Sequence, residues 1–350
     1  MVSLSADDPA SFRAVIFGFE GLHLTTAERD FFAAEKPFGF ILFARNVQSP
    51  AQLAALTAEL REVADRPNVP ILIDQEGGRV QRLRAPDWFE ARPFGFFGDL
   101  HGRDPALAIE ALRLTTRLIA ADLQAAGITV DCTPCLDLRL EETVAAIGDR
   151  AFADDPMVIA RLGAVVAEEM LKAGILPVIK HMPGHGRATV DSHLELPHVG
   201  AARDRLTATD FRPFQQLSLL PWGMTSHIVF DEIDPHHPAT QSAIVIDEVI
   251  RGEIGFDGLL LSDDINMQAL SGALGERAEK ALAAGVDIVL HCSGKLDEMR
   301  EVAGKCPPPH EKTLARIAHG EKLQQAAGDT ALRPEEDSIR LAEILARETV

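Results

Sequence analysis

The sequence lacks a basic run and a long apolar run, and each absence argues against a class of protein. Of the 350 residues, 34 are Lys or Arg and 53 are Asp or Glu, so the formal net charge is −19. A surface this acidic repels nucleic-acid phosphates and anionic membranes. No stretch of 18 apolar residues occurs, so we expect no membrane-spanning helix. The composition therefore predicts neither a nucleic-acid nor a membrane partner.

The N-terminus and the few cysteines favour the cytoplasm. Residues 1–8 include two aspartates and lack the basic and apolar stretches of a secretory signal. Cys132 and Cys135 form a CxxC pair, but no second CxxC or nearby CxxH completes a zinc site. With Cys292 and Cys306 they are expected to be buried, reduced thiols. We predict a cytoplasmic protein with no metal and no cofactor.

Short apolar runs alternate with stretches of helical periodicity along the chain. Eight runs are strand candidates: 13–17, 38–43, 69–73, 129–132, 176–179, 221–225, 258–261 and 287–290. Three helical stretches between them are 50–64, 105–125 and 156–173. Thr25 and Glu28 match a capping box, and Pro50 follows Ser49 as the first helical residue follows an N-cap. Several strand candidates are apolar almost throughout, which is typical of strands covered on both faces.

Eight strand–helix pairs predict the α/β class, specifically a (β/α)₈ TIM-type barrel. A doubly wound sheet has the same alternation, but the segment 18–21 after the first strand does not match its phosphate-binding glycine fingerprint. No linker or internal repeat divides the chain. We expect a single catalytic barrel over residues 1–306, with 307–350 as a C-terminal helical extension packed on it.

Polar residues collect after the predicted strands, which is the face of a barrel that carries active sites. The third strand is followed by Asp74 and Arg82, the fifth by Lys180 and three nearby histidines, and the seventh by Asp263. Each aspartate could instead be a helix N-cap. Lys180 ends an apolar run, where a charge is costly unless it meets an acid or a ligand. The set as a whole points to a catalytic or binding site.

Two chemistries suit a barrel mouth rich in carboxylates and histidines. In one, His181, His185, His193 and His227 bind a metal that activates water, although the expected His-x-His pair after the first strand is absent. In the other, the site cleaves a glycosidic bond, which needs a carboxylate, a proton donor and polar clamps on the sugar hydroxyls. Asp263 could be that carboxylate, and charged side chains are suitable clamps.

The motifs resemble those of glycoside hydrolase family 3, in particular its short bacterial β-N-acetylglucosaminidases. The resemblance covers about residues 15–290 and follows the family's order and spacing. It rests on Ile-Asp-Gln-Glu-Gly-Gly-Arg-Val-Gln-Arg (73–82), Lys-His-Met-Pro-Gly-His-Gly (180–186), Asp-Ser-His (191–193) and Ser-Asp-Asp-Ile-Asn-Met (262–267). Met182 and Asn266 depart from the family's common Phe and Ser, and neither has an expected role.

The resemblance implies a barrel, a nucleophile and an acid/base pair. It makes Asp263 the nucleophile of a retaining mechanism with a covalent glycosyl-enzyme, and His193 with Asp191 the acid/base. The implied sugar contacts are Asp74, Arg82, Arg150, Lys180 and His181. In other hexosaminidases the substrate's acetamido group is the nucleophile, and that route also retains configuration. A histidine has an unperturbed pKa of about 6.5 and adds no second negative charge opposite Asp263.

By family analogy, the substrate is N-acetylglucosamine linked to 1,6-anhydro-N-acetylmuramic acid, with or without peptide, released during peptidoglycan recycling. The expected partners are such muropeptides or disaccharides, and the chain is expected to be a monomer or a weak homodimer. A β-N-acetylglucosaminide phosphorylase and a non-catalytic amino-sugar-binding protein remain alternatives. The glycines that flank His185 suggest a mobile acid/base loop.

Overall fold

Eight parallel strands close into a barrel in the computed structural model, which describes residues 12–326 and 332–348. The barrel order is β1, β2, β3, β4, β5, β7, β9 and β10, which pairs again with β1. Two short strands, β6 and β8, form a separate parallel pair above it. The strands are β1 (Arg13–Phe17), β2 (Pro37–Leu42), β3 (Ile71–Ile73), β4 (Val130–Asp131), β5 (Leu176–Met182), β6 (His198–Val199), β7 (Trp222–Thr225), β8 (Val229–Phe230), β9 (Leu259–Asp264) and β10 (Ile288–His291).

Helices connect the strands on the outside of the barrel. They are α1 (Thr26–Glu35), α2 (Pro50–Ala64), α3 (Phe94–Arg103), α4 (Pro105–Ala125), α5 (Pro156–Lys172), α6 (Arg203–Ala208), α7 (Arg212–Gln216), α8 (Leu274–Ala284), α9 (Leu296–Ala303), α10 (Glu311–Ala326) and α11 (Pro334–Glu348). A π-helix, Val245–Glu253, precedes β9. The predicted (β/α)₈ architecture is therefore confirmed.

The local signals in the sequence act as predicted. Thr25 and Glu28 form the capping box of α1, and the Ser49 side chain accepts from the Gln52 N–H at the start of α2. The eight predicted strands all occur, although β3 and β4 are shorter than expected and β5 and β9 each extend three residues further. Both extensions carry polar residues into the mouth of the barrel. Periodicity ended these strands too early because it follows apolar residues alone.

The core has two apolar layers separated by the strand wall. The inner cluster contains one or more residues of every barrel strand, and the outer cluster joins the other strand faces to the helices. Members of the inner cluster include Ile16, Ile41, Leu72, Val130, Val178, Met224, Leu261 and Leu290. Because the barrel is filled by side chains, any ligand must bind at its ends rather than within it.

Helix α10 packs beneath the barrel. Ile317 belongs to the inner apolar cluster with Trp222 and Phe38, and the Gln324 side chain donates to the carbonyls of Thr129 and Gly174. Helix α11 packs on α4, where Leu341 and Ile344 are buried. The division at residue 306 stays a prediction. The C-terminal helices contact the barrel below and beside it, away from the strands' carboxyl ends.

The described residues also bear on the predictions about thiols and membranes. All four cysteines are free and buried, as expected. Within residues 12–326 and 332–348, no helix combines the length and the apolar character that a bilayer span requires.

A close approach between α3 and the chain after Arg150 depends on a glycine. A Cβ on Gly98 would lie 1.7 Å from the Phe152 carbonyl oxygen, whereas a Cβ on Gly102 of the same helix would meet nothing within 4 Å. The absence of a side chain at Gly98 thus lets α3 support the segment that carries Arg150.

We expect Gly98→Ala to destabilise the fold by about 2–3 kcal/mol or more, because the backbone must shift to relieve the overlap. Gly102→Ala is the matched control, and it should stabilise by up to about 1 kcal/mol through helix propensity. Urea unfolding of both variants measures the difference. Equal effects of the two substitutions would contradict the close-packing argument.

Candidate active site

A cavity of about 400 Å³ opens at the carboxyl ends of the barrel strands. It is lined by polar side chains together with a few apolar ones from β2, β7 and β10. All eight site residues predicted from the sequence line it: Asp74, Arg82, Arg150, Lys180, His181, Asp191, His193 and Asp263. Residues up to 189 positions apart in the chain therefore meet at one place because parallel strands end on one face.

A network of buried charges forms one wall of the cavity. The Lys180 ammonium lies 2.8 Å from Asp74 Oδ1 and 2.7 Å from Glu76 Oε1. Arg150 binds Glu76 with two parallel contacts, 2.9 Å to Oε2 and 2.7 Å to Oε1. The side chains of Lys180 and Glu76 are almost completely buried. Alternating positive and negative groups offset the cost of removing each charge from water.

Each group in this network is held in its charged form. Burial alone lowers the pKa of Lys180, but Asp74 and Glu76 raise it well above its ordinary value. Burial raises the pKa of Glu76, yet Arg150 and Lys180 bring it down to about 2. The pKa of Asp74 is likewise lowered by Lys180 and Arg82 against the effect of burial. The wall thus presents fixed donors and acceptors at neutral pH.

Arg82 completes the wall beside Asp74. Its Nη2 donates to Asp74 Oδ2 at 3.1 Å, and its guanidinium lies 5.6 Å from the ring centroid of Phe43. Phe43 also lies 4.6 Å from the guanidinium of Arg45, so one ring contacts two cations. These contacts hold Arg82 over the cavity while its side chain keeps partial access to solvent.

His181 is oriented by a buried carboxylate behind the cavity. Its Nδ1 lies 2.7 Å from Asp137 Oδ2, and Asp137 Oδ1 accepts the main-chain N–H groups of His181 and His185. Burial raises the pKa of Asp137, but His181 lowers it well below the ordinary range. Because Asp137 accepts at Nδ1, the Nε2 atom of His181 is left for contacts on the cavity side.

Asp263 lies near the end of β9, partly buried at the cavity. Its Oδ1 accepts the N–H of Asp264 at 2.8 Å. Burial raises the pKa of Asp263, but His181 and His227 hold it below its ordinary value. The neighbouring Asp264 behaves differently, because burial and the charge of Asp263 raise its pKa to about 6. Asp263 is therefore the stronger acid of this pair and stays ionised to a lower pH.

Asp191 and His193 form a pair at the mouth. His193 Nδ1 lies 2.7 Å from Asp191 Oδ1, which also accepts the His193 N–H at 2.9 Å. The His193 side chain is 64% exposed and that of Asp191 is 31% exposed. Burial raises the pKa of Asp191, but the hydrogen bonds from His193 lower it overall. The pair combines an anionic aspartate with an imidazole that water and a ligand can both reach.

The four histidines considered as metal ligands do not converge. Among the described residues, the group of metal-ligating atoms within 4.8 Å of one another consists of Cys135, Asp137 and His181. His185 contacts Ser192, and His227 contacts Thr240 and the Asp264 carbonyl. The thiol of Cys135 is buried and its pKa is raised well above the ordinary value by burial, so it is a poor ligand in this state.

The model of the glycosyl hydrolase family 3 N-terminal domain matches residues 21–318, which is most of the chain. The chain belongs to this family. It is a glycoside hydrolase, and the predicted family and enzyme class are confirmed.

Relatives of this family 3 hydrolase are similar along most of its length. A β-hexosaminidase of Alkalilimnicola ehrlichii is 42% identical over 284 residues, 80% of each chain. One of Xanthomonas campestris is 36% identical over 299 residues, 83% of this chain and 88% of the relative. The structure of NagZ from Neisseria gonorrhoeae with N-trifluoroacetyl-D-glucosamine matches with a TM-score of 0.84 at 32% identity, covering 95% of this chain and 98% of that one.

Two buried residues of this family 3 hydrolase, Glu76 and Asp137, were not assigned a role from its sequence, and His227 was considered only as a metal ligand. Glu76 completes the charge network, Asp137 orients His181, and His227 faces Asp263. Glu76 and His227 lie three and two residues after the ends of β3 and β7, and Asp137 lies six residues after the end of β4. The available signal in the sequence was a carboxylate or imidazole shortly after a strand. Distinguishing such a residue from a helix cap requires its burial and its partners in the folded chain.

We expect Glu76→Gln to destabilise the hydrolase by about 3–5 kcal/mol, because two cations lose the charge that balances them. The exposed Asp149→Asn variant, which breaks a surface pair with Arg79, should cost less than about 1 kcal/mol. Chemical denaturation at pH 7 measures both. Similar costs would contradict the charge-balance argument.

The same substitution predicts a pH effect. The folded-state pKa of Glu76 is about 2 against an ordinary 4.5, so its stabilising effect is full above pH 4.5 and is lost as the pH falls toward 2. The stability gap between the native protein and Glu76→Gln should therefore narrow over that window. A gap that does not change with pH would show that the ionised carboxylate is not the stabilising form.

Proposed function

We propose that the protein is a retaining exo-β-N-acetylglucosaminidase. The observation that supports this best is one cavity holding an ionised carboxylate, Asp263, and an accessible imidazole–carboxylate pair, His193 with Asp191. Its wall of fixed charges provides multidentate hydrogen bonds of the kind that hold sugar hydroxyls. The β-hexosaminidases among the relatives agree with this activity.

The first step breaks the glycosidic bond. Asp263 attacks the anomeric carbon while His193 protonates the leaving oxygen, so a glycosyl-aspartate forms and the aglycone leaves as an alcohol. Asp263 suits the role because its lowered pKa keeps it ionised in a partly buried position. Asp191 contacts Nδ1 of His193 at 2.7 Å, so Nε2 is the ring nitrogen left to donate the proton.

The second step releases the sugar. His193, now neutral, takes a proton from water, whose oxygen attacks the anomeric carbon and frees Asp263. Each step inverts the configuration at the anomeric carbon, so the two steps together retain it. A neutral imidazole also places no second negative charge near Asp263, unlike the usual carboxylate acid/base. The exposure of His193 allows water to reach it in this step.

The proposed specificity is for one terminal sugar. A cavity of about 400 Å³ is at the small end of the range for ligand sites, which suits one amino-sugar residue with its acetamido group. Asp74, Lys180, Arg82, Arg150 and His181 are proposed to bind its hydroxyls. Most of them are anchored by ion pairs, so the site is preorganised.

The proposed natural substrate is N-acetylglucosaminyl-1,6-anhydro-N-acetylmuramic acid, alone or with its peptide, in cytoplasmic peptidoglycan recycling. Its support is the resemblance to short bacterial members of the family and the similarity to NagZ. The proposed partners are such muropeptides. The proposed assembly is a monomer or a weak homodimer.

We expect release of 4-nitrophenol from its β-N-acetylglucosaminide at a rate that does not depend on phosphate, with free N-acetylglucosamine as the sugar product. Chromatography of the product with and without phosphate makes the measurement. The sugar 1-phosphate would identify a phosphorylase instead. Absence of turnover would favour a sugar-binding protein and contradict the proposal.

We expect Asp263→Ala to lower kcat by at least about 10³-fold, because the covalent intermediate can no longer form. Its fold, followed by circular dichroism, should persist. Intact mass spectrometry of the rapidly quenched native enzyme should show one added N-acetylglucosaminyl residue, which the variant lacks. Native-like turnover by Asp263→Ala would remove this residue from the mechanism and leave the acetamido route.

A further inference from the structure

The loop 183–197, between β5 and β6, carries the proposed acid/base pair, Asp191 and His193. The residue between these two accessible side chains is buried. Ser192 is 3% exposed although it lies between Asp191 and His193. Its Oγ lies 3.1 Å from Nε2 of His185, which is also 3% exposed. The chain therefore turns inward at Ser192 and exposes its two neighbours.

His185 is itself fixed to the site beneath it. Its main-chain N–H donates to Asp137 Oδ1 at 2.6 Å, and Asp137 Oδ2 lies 2.7 Å from the His181 ring. A continuous series of contacts thus runs from the proposed sugar ligand His181, through Asp137 and His185, to Ser192. The Nδ1 atom of His185 is buried and has no hydrogen-bond partner among the described residues, so the ring's hydrogen bond is the one to Ser192.

The rest of the loop is anchored at its base and on its far side. The Thr143 hydroxyl donates to the Gly186 carbonyl at 2.6 Å, and Arg187 donates to Asp210 at 2.7 Å. The Ser192 carbonyl accepts the N–H of Ala269, which follows the proposed nucleophile's strand. Ser192 is therefore the point where the distal part of the loop contacts the barrel.

Building on the proposed function, we propose that the His185–Ser192 contact is a latch that positions His193 for proton transfer. Neither side chain lines the cavity, so both are positioning residues rather than catalytic ones. The Asp191–His193 contact orients the imidazole relative to the loop, and the latch orients the loop relative to the cavity. Without it, the pair remains intact but is held less closely over the leaving oxygen.

The test uses aryl β-N-acetylglucosaminides with phenyl, 4-nitrophenyl and 2,4-dinitrophenyl leaving groups. The phenyl substrate has the poorest leaving group, whose oxygen needs a proton in the transition state. The 2,4-dinitrophenyl substrate has the best leaving group, which departs without one. We expect Ser192→Ala to lower kcat/KM for the phenyl substrate roughly ten- to a hundred-fold, part of the 10²–10⁴-fold attributed to general acid catalysis. The loss for the 2,4-dinitrophenyl substrate should be less than about threefold. Affinity for N-acetylglucosamine, measured by calorimetry, should stay unchanged.

Three comparisons separate positioning from general destabilisation. Ser226→Ala removes another buried hydroxyl, one with no hydrogen-bond partner among the described residues, and should leave the leaving-group dependence unchanged. In a His193→Ala background, Ser192→Ala should add no further loss, because the group that it positions is gone. His185→Gln, which retains a side-chain N–H that could reach Ser192, should reduce the rate less than His185→Ala.

The outcomes distinguish the latch from the proposed function. If the native enzyme turns over the substrates but Ser192→Ala reduces all three rates equally, or none, the latch is wrong and the glycosidase stands. Additive losses in the double variant would also overturn it. If the native enzyme turns over none of the three, the proposed function itself fails.

Discussion

The site depends on the balance of charge around one buried ammonium group. Lys180 lies inside a barrel filled with apolar side chains, where an unpaired charge would cost several kcal/mol. Asp74 and Glu76 offset that cost, and Glu76 in turn requires Arg150. The three segments that carry these residues come from the third strand, the fifth strand and a distant loop. Charge balance therefore ties folding of the barrel to assembly of the proposed sugar-binding wall.

The site has two electrostatic environments, and each suits a different proposed task. At the wall, burial and close ion pairs keep every group in one charge state, which favours binding and orientation. At the mouth, His193 is largely exposed and pairs with a single carboxylate, so water and a substrate can both reach the imidazole, as its proposed role requires. Asp263 lies between them, partly buried yet held ionised by the nearby histidines.

Asp137 connects these environments. It accepts hydrogen bonds from the ring of His181 and from the main chain of both His181 and His185. One buried carboxylate thus sets the position of the proposed sugar ligand His181 and the start of the loop that carries the proposed acid/base pair. At the opposite end, a separate charge network joins the buried Asp287 to Arg251 and to Arg316 of α10, and α10 also contacts Trp222 and other apolar groups. In this architecture the carboxyl ends of the strands usually carry the chemistry, and the amino ends contribute to stability.

The sequence by itself determined the fold class, the family and the identity of eight cavity residues. Alternating apolar runs and helical stretches predict the barrel because strand and helix periods are local properties. Burial, ion pairing and the roles of Glu76, Asp137 and Ser192 are not local. Each of these three looks like an ordinary polar residue in a strand-end loop. The partners of Glu76 and Asp137 lie 104 and 44 positions away, so only the closed barrel brings them together. The partner of Ser192 lies 7 positions away in the same loop, and the path of that loop over the barrel decides whether the two side chains meet.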